Sequence, residues 1–73
     1  VPRKVRHLKA DLRRAGAAQV AQESSHTKWK HPLVPGMLME LAGADGDDAK
    51  QYQERDLREA LRRIQEATQG TDA

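Results

Sequence analysis

Val5, Leu8, Leu12 and Ala15 recur at offsets 0, 3, 7 and 10, the spacing of one face of a helix. Arg3, Arg6, Lys9, Arg13 and Arg14 fill the remaining surface. Arg13 and Arg14 fall in the last turn, where cations favour the negative end of the helix dipole. Gly16 follows and can adopt the left-handed conformation that stops a helix. The spacing predicts a helix over about residues 3–15. AAQVAQE, residues 17–23, is weaker. As a strand it puts Ala17, Gln19 and Ala21 on one side and Ala18, Val20 and Gln22 on the other, while its alanines leave helix open. After the turn signal Ser24-Ser25, the segment SHTKWKH at 25–31 alternates. Thr27, Trp29 and His31 share one face; His26, Lys28 and Lys30 share the other. Pro32 ends the run, and VPG at 34–36 reads as a turn. MLMELA at 37–42 predicts a third strand, with Met37, Met39 and Leu41 on one face and Leu38, Glu40 and Ala42 on the other.

GADGDDAK, residues 43–50, is a polar loop. A calcium loop needs oxygen ligands at alternate positions; Asp45 and Asp47 fit, but Ala49 and Lys50 do not. Leu57, Ala60, Leu61 and Ile64 then form an apolar helical stripe, flanked by Glu54–Arg58, Arg55–Glu59 and Glu59–Arg63 at i,i+4. With Gln53 as the cap, Tyr52 can pack on Leu57 as a hydrophobic staple. The domain spans about residues 3–68; the tail at 69–73 has nothing to bury and should fray.

Helix, strand, strand, strand, helix is an α+β order in which two helices cover one face of a three-stranded antiparallel sheet. With Trp29 and Met39 on the covered face, His26, Lys28 and Lys30 lie on the open one, at a same-face repeat of roughly 6.6–6.8 Å. That is near the spacing of successive phosphates in a nucleic-acid strand.

Composition narrows what such a domain can do. Of 73 residues, 27 are hydrophobic, 11 of those are alanine, and there is no Phe. Sixteen large apolar side chains pack two or three elements without enclosing a deep cavity, so an active site belongs on an open surface. Cysteine is absent, which excludes thiolate chemistry and disulfides. The three histidines lack the pairing of a zinc site, so no metal is expected. No glycine-rich phosphate loop is present and no other cofactor is implied. The charged run VPRKVRHLKADL is no signal-peptide core, and Leu33–Met39 is too short to span a bilayer. A soluble, cytoplasmic protein with no membrane partner is the expectation. The net charge of +2 hides an asymmetry: residues 1–32 carry +6 and residues 33–73 carry −4. A basic half suggests a polyanionic partner.

His26 is the candidate for chemistry. Imidazole can exchange a proton near neutral pH and could deprotonate a ribose 2′-hydroxyl. Lys28 and Lys30 at i+2 and i+4 favour its uncharged form and would stabilise charge building on phosphorus. His31 reads as a strand-end cap or a residue packed under the sheet edge, His7 as part of an exposed helix face, and Trp29 as core.

The run Ser25-His26-Thr27-Lys28-Trp29-Lys30-His31-Pro32 resembles the signature strand of the HicA toxins. Its setting is similar too, after Leu-Arg-Arg-Ala-Gly at 12–16 and before Asp47-Asp48-Ala49-Lys50-Gln51-Tyr52-Gln53; the likeness covers about residues 3–66. It implies a double-stranded-RNA-binding-like α-β-β-β-α fold and a small bacterial mRNA interferase, the toxin of a type II toxin-antitoxin system that arrests translation. The resemblance maps the catalytic histidine onto His26. Lys28 and Lys30 would then bind phosphate, with Arg3, Lys4 and Arg6 as outer RNA contacts. The implied partners are mRNA and a HicB-like antitoxin that covers His26. Two positions depart from the family pattern. Ser24 stands where glycine is usual, and Ala17 stands where a large apolar residue is usual, which should thin the core by about 2 kcal/mol of burial. Glu23 also sets an acid beside the site.

Two rival readings follow from the same residues. One is a non-catalytic RNA-binding module on the same basic face. The other is a protein-interaction adaptor that docks a basic partner on Asp45, Asp47 and Asp48.

Overall fold

The computed structural model describes residues 2–71. The order is α1 (Val5–Arg14), β1 (Ala18–Glu23), β2 (His26–Lys30), β3 (Met39–Leu41) and α2 (Gln51–Thr71). The strands form one antiparallel sheet in the order β1-β2-β3. The expected α+β fold with an α-β-β-β-α order is the one observed. No helix among the described residues is long and apolar enough to cross a membrane.

Both helices pack on the same face of the sheet. Leu8 and Leu12 of α1, Trp29 of β2, Met39 and Leu41 of β3, and Leu57, Ala60 and Ile64 of α2 make one continuous core. Strand parity decides which residues enter it: Thr27 and Trp29 are buried with Met39 and Leu41, while His26, Lys30 and Glu40 between them face outward. Inside the core the Trp29 indole Nε1–H donates to Thr27 Oγ1 at 3.0 Å. The Arg13 guanidinium lies 5.1 Å from the centre of the Trp29 ring, within cation–π range.

α1 is shorter than the spacing predicts, because Arg3 and Lys4 are used to hold its start. Acceptors for its first amides come from the loop at 43–50: Val5 N–H donates to Asp47 O at 2.9 Å and Arg6 N–H to Asp45 O at 3.2 Å. Ala49 N–H returns a bond to Arg3 O at 2.7 Å, and Lys4 and Asp48 form an antiparallel bridge. Ammonium–carboxylate pairs reinforce the junction, Lys4 with Asp48 at 2.5 Å and Lys9 with Asp45 at 2.6 Å. The Lys9 ammonium, bonded to Asp45, holds that carboxyl below its ordinary value. Asp47 Oδ2 accepts from Ala44 N–H at 3.0 Å, so each of the three aspartates of the adaptor reading makes a contact within the chain while staying exposed.

At its other end α1 stops at Gly16, which has φ +93. His31 seals that junction. Its Nε2 bonds the Ala15 carbonyl at 2.9 Å and its Nδ1 accepts from Leu33 N–H at 3.0 Å. His31 is buried under the sheet edge, one of the two roles expected of it. Accepting at Nδ1 places the ring proton on Nε2.

β1 corrects the expected alternation. Gln19 pairs with Trp29, but Ala21 pairs with Lys28, so one residue, Val20, is extra on β1. This bulge reverses parity: Ala18 and Ala21, opposite Lys30 and Lys28, share a face, and Gln19 no longer sides with Ala21. All six residues of β1 are exposed.

α2 begins two residues before the expected cap. Lys50 O accepts from Gln53 N–H and Glu54 N–H, which makes Lys50 the cap residue. Gln53 is buried at the third helical position, where its Oε1 accepts from Lys50 N–H at 3.0 Å and its Nε2–H donates to Ala42 O at 2.9 Å. Tyr52 consequently sits inside the first turn, 46% exposed, and not before the cap where a staple would place it. The surface ion pairs also differ from those expected. Arg62 reaches both Glu59 and Glu66, with Arg55 beside Asp56, because Arg62 can serve a partner one turn away in either direction. The helix continues through residues 69–71 of the tail expected to fray, with Thr68 Oγ1 donating to Ile64 O at 2.9 Å; residues 72–73 lie outside the described residues.

Candidate functional site

His26 is the first residue of β2, delivered by a two-residue turn from β1. Glu23 and His26 are directly paired, and Ser24 and Ser25 make the connection. Ser24 has φ 55, in the left-handed region that costs a residue with a Cβ. Tight hairpins require such a conformation and usually fill it with glycine. The imidazole emerges on the uncovered face with its side chain 54% exposed.

The register then fixes its neighbours. Lys28 is opposite Glu40 on β3 and Ala21 on β1; Lys30 is opposite Ala18. Glu40 therefore projects from the open face one step along from His26, and its Oε1 lies 3.5 Å from His26 Nδ1. The face combines one imidazole and two ammonium groups with two carboxylates, Glu23 and Glu40. Sequence reasoning placed the three basic groups correctly by parity and noted Glu23. It missed Glu40, which lies 14 positions from His26 and is brought there only by the β2–β3 pairing.

The remaining basic candidates lie elsewhere. Arg3, Lys4 and Arg6 are at the start of α1, on the covered side of the sheet. Arg3 binds Asp11 at 2.7 Å and Lys4 binds Asp48, whereas Arg6 is exposed. His7 is exposed as expected and has a structural task, since its Nδ1 accepts from Lys4 N–H at 3.1 Å at the start of the helix. Its ring proton is thus on Nε2.

Beside His26 runs a shallow cleft of ≈ 490 Å³ between β3 and α2, walled by Leu38, Met39, Glu40, Tyr52 and Asp56 among others. Leu38 and Tyr52 give it exposed apolar surface. Among the described residues no three His, Asp or Glu side chains cluster in a way that could hold a metal ion. The site can accept a proton at an accessible imidazole and can offer ammonium groups to an anion along the same strand. Comparison of the chain with family profiles, with curated proteins and with solved structures finds no match.

Proposed function

We propose that this protein is a metal-independent endoribonuclease of the HicA kind, the toxin of a type II toxin-antitoxin pair. The observation that carries the reading is an accessible imidazole heading β2 on the uncovered face of the sheet, with Lys28 and Lys30 next along that face. In this reading single-stranded mRNA crosses the open face. His26 accepts the proton of a ribose 2′-hydroxyl, and the oxygen attacks the adjacent phosphorus as the 5′-oxygen of the next nucleotide departs. The products are a 2′,3′-cyclic phosphate and a 5′-hydroxyl, the latter protonated from solvent. Lys28 and Lys30 steady the phosphate through this passage. A HicB-like antitoxin would neutralise the activity by covering His26, and the cytoplasm is the proposed compartment.

Induction of the wild-type chain and of His26→Ala in a bacterial host, with total RNA followed in parallel, tests the reading. Growth arrest and message loss are expected for wild type. The variant should lose cleavage by about 10²–10⁴-fold while still binding RNA. Equal cleavage by both chains, or none by either, overturns it.

Glu23 favours a second reading, non-catalytic RNA binding on the same surface. Glu23 pairs directly with His26 across the hairpin and so puts an acidic residue on the same face beside the imidazole, whereas the Lys30 end of the strand pairs with alanine. That reading predicts salt-sensitive RNA affinity that survives His26→Ala, with no cleavage by wild type.

A further inference from the structure

The open face holds one close imidazole–carboxylate contact, His26 Nδ1 to Glu40 Oε1 at 3.5 Å, with both side chains about half exposed. We infer that Glu40 is a positioning residue for His26: its carboxylate accepts a hydrogen bond from Nδ1–H, fixing the ring so that Nε2 is the free, outward base.

Lys28 and Glu40 are a directly opposed pair, and Thr27 opposes Leu41. His26 and Glu40 are consequently diagonal neighbours on one face, a separation that long side chains span. The carboxylate comes from a strand whose flanking residues Met39 and Leu41 are both buried, so its backbone is anchored on either side. An imidazole has two nitrogens, and the bond made by one decides which tautomer is present. A carboxylate at Nδ1 can only accept, so it selects the Nδ1–H form and leaves the Nε2 lone pair available for a substrate proton.

The other two histidines are the opposite case. His7 Nδ1 accepts from Lys4 N–H and His31 Nδ1 accepts from Leu33 N–H, so both hold their proton on Nε2. The chain therefore carries two internal references against which the tautomer of the third can be read. Two rivals for the carboxylate role are also defined: Lys28 could claim Glu40, and Glu23, directly opposite His26, could take its place.

The assignment of the ring's tautomer stands without any activity; only its catalytic consequence rests on the ribonuclease reading. Imidazole 15N spectra of the full chain should therefore be compared for wild type, Glu40→Gln and Glu23→Gln. The expected wild-type result is Nδ1–H for neutral His26 beside Nε2–H for His7 and His31. Glu40→Gln should shift His26 towards Nε2–H, and Glu23→Gln should leave it unchanged. A wild-type His26 already in the Nε2–H form, a response to Glu23→Gln in place of Glu40→Gln, or no response to Glu40→Gln overturns the inference. Unchanged His7 and His31 signals in each variant verify that the fold persists.

Single-turnover and steady-state cleavage of an RNA oligonucleotide supply the second arm. Glu40→Gln should lower kcat about tenfold or more with KM little changed, and Glu40→Asp should recover part of the loss. Cleavage by wild type with an unaltered kcat in Glu40→Gln removes the catalytic consequence. If wild type cleaves nothing, the ribonuclease reading fails while the spectra still decide the tautomer.

Discussion

Ser24 holds the most constrained backbone conformation at the site. Its φ of 55 is tolerated because the hairpin must return β2 directly alongside β1, and Glu23 and His26 are paired across it. Glycine reaches the same conformation without a steric cost, offset in part by its greater freedom in the unfolded chain. Ser24→Gly should therefore stabilise the domain by about 0.5–1 kcal/mol, seen as a rise in Tm of a few degrees. Gly16 presents the reverse case. Its φ is +93, and a Cβ there would lie 3.0 Å from His31 Nε2. Gly16→Ala should lower stability by about 1–3 kcal/mol and loosen the His31 bond to Ala15 O. Thr27 makes a third test. Thr27→Val keeps the shape but leaves the Trp29 indole N–H unpaired in the core, a loss of about 1–3 kcal/mol. Urea unfolding followed by the fluorescence of Trp29, the one tryptophan in the chain, measures all three.

At the scale of elements, the loop at 43–50 braces α1 through contacts that depend on charge. Asp45 has its carboxyl held below the ordinary value by Lys9, so the folded state binds that proton less readily than the unfolded chain does. Its contribution is complete above the unfolded value near pH 3.8 and disappears as pH falls through the lowered folded value. Wild type and Asp45→Asn should thus differ in urea midpoint at pH 7 and converge as pH falls through the lowered folded value.

The elements also show what was readable in the chain and what was not. Periodicity marks α1 and α2, and alternation sorts Thr27 and Trp29 from His26, Lys28 and Lys30, because burial acts on each strand separately. The Val20 bulge was not readable: β1 buries nothing, so no apolar pattern records its register. The start of α2 was misplaced because Gln53 is a good cap by residue type, whereas its two amide bonds, to Lys50 and Ala42, need the folded loop beside it. The proximity of Glu40 to His26 has the same character. Each residue is visible as outward-facing, but their meeting depends on how β2 and β3 are aligned.

The whole molecule has little stability to spare. Trp29 spans the core between α1 and the sheet and is fully buried. Trp29→Ala should cost about 3–5 kcal/mol, comparable with the total available to a domain of this size. The expected outcome is loss of the cooperative thermal transition by circular dichroism. The same economy explains why the proposed site sits on the open face: two helices are just enough to cover one side of the sheet, leaving the other to solvent.

The first amides of α1 take their acceptors from Asp45 and Asp47, some forty residues later in the chain. During synthesis the N-terminal helix must therefore wait for those carbonyls to leave the ribosome. At about 5–20 residues per second, that interval is roughly 2–8 s. Throughout it, and until Leu57, Ala60 and Ile64 have followed, Leu8 and Leu12 have no finished interior to enter, so the nascent chain is most exposed to proteases and holding chaperones before residue 64 emerges.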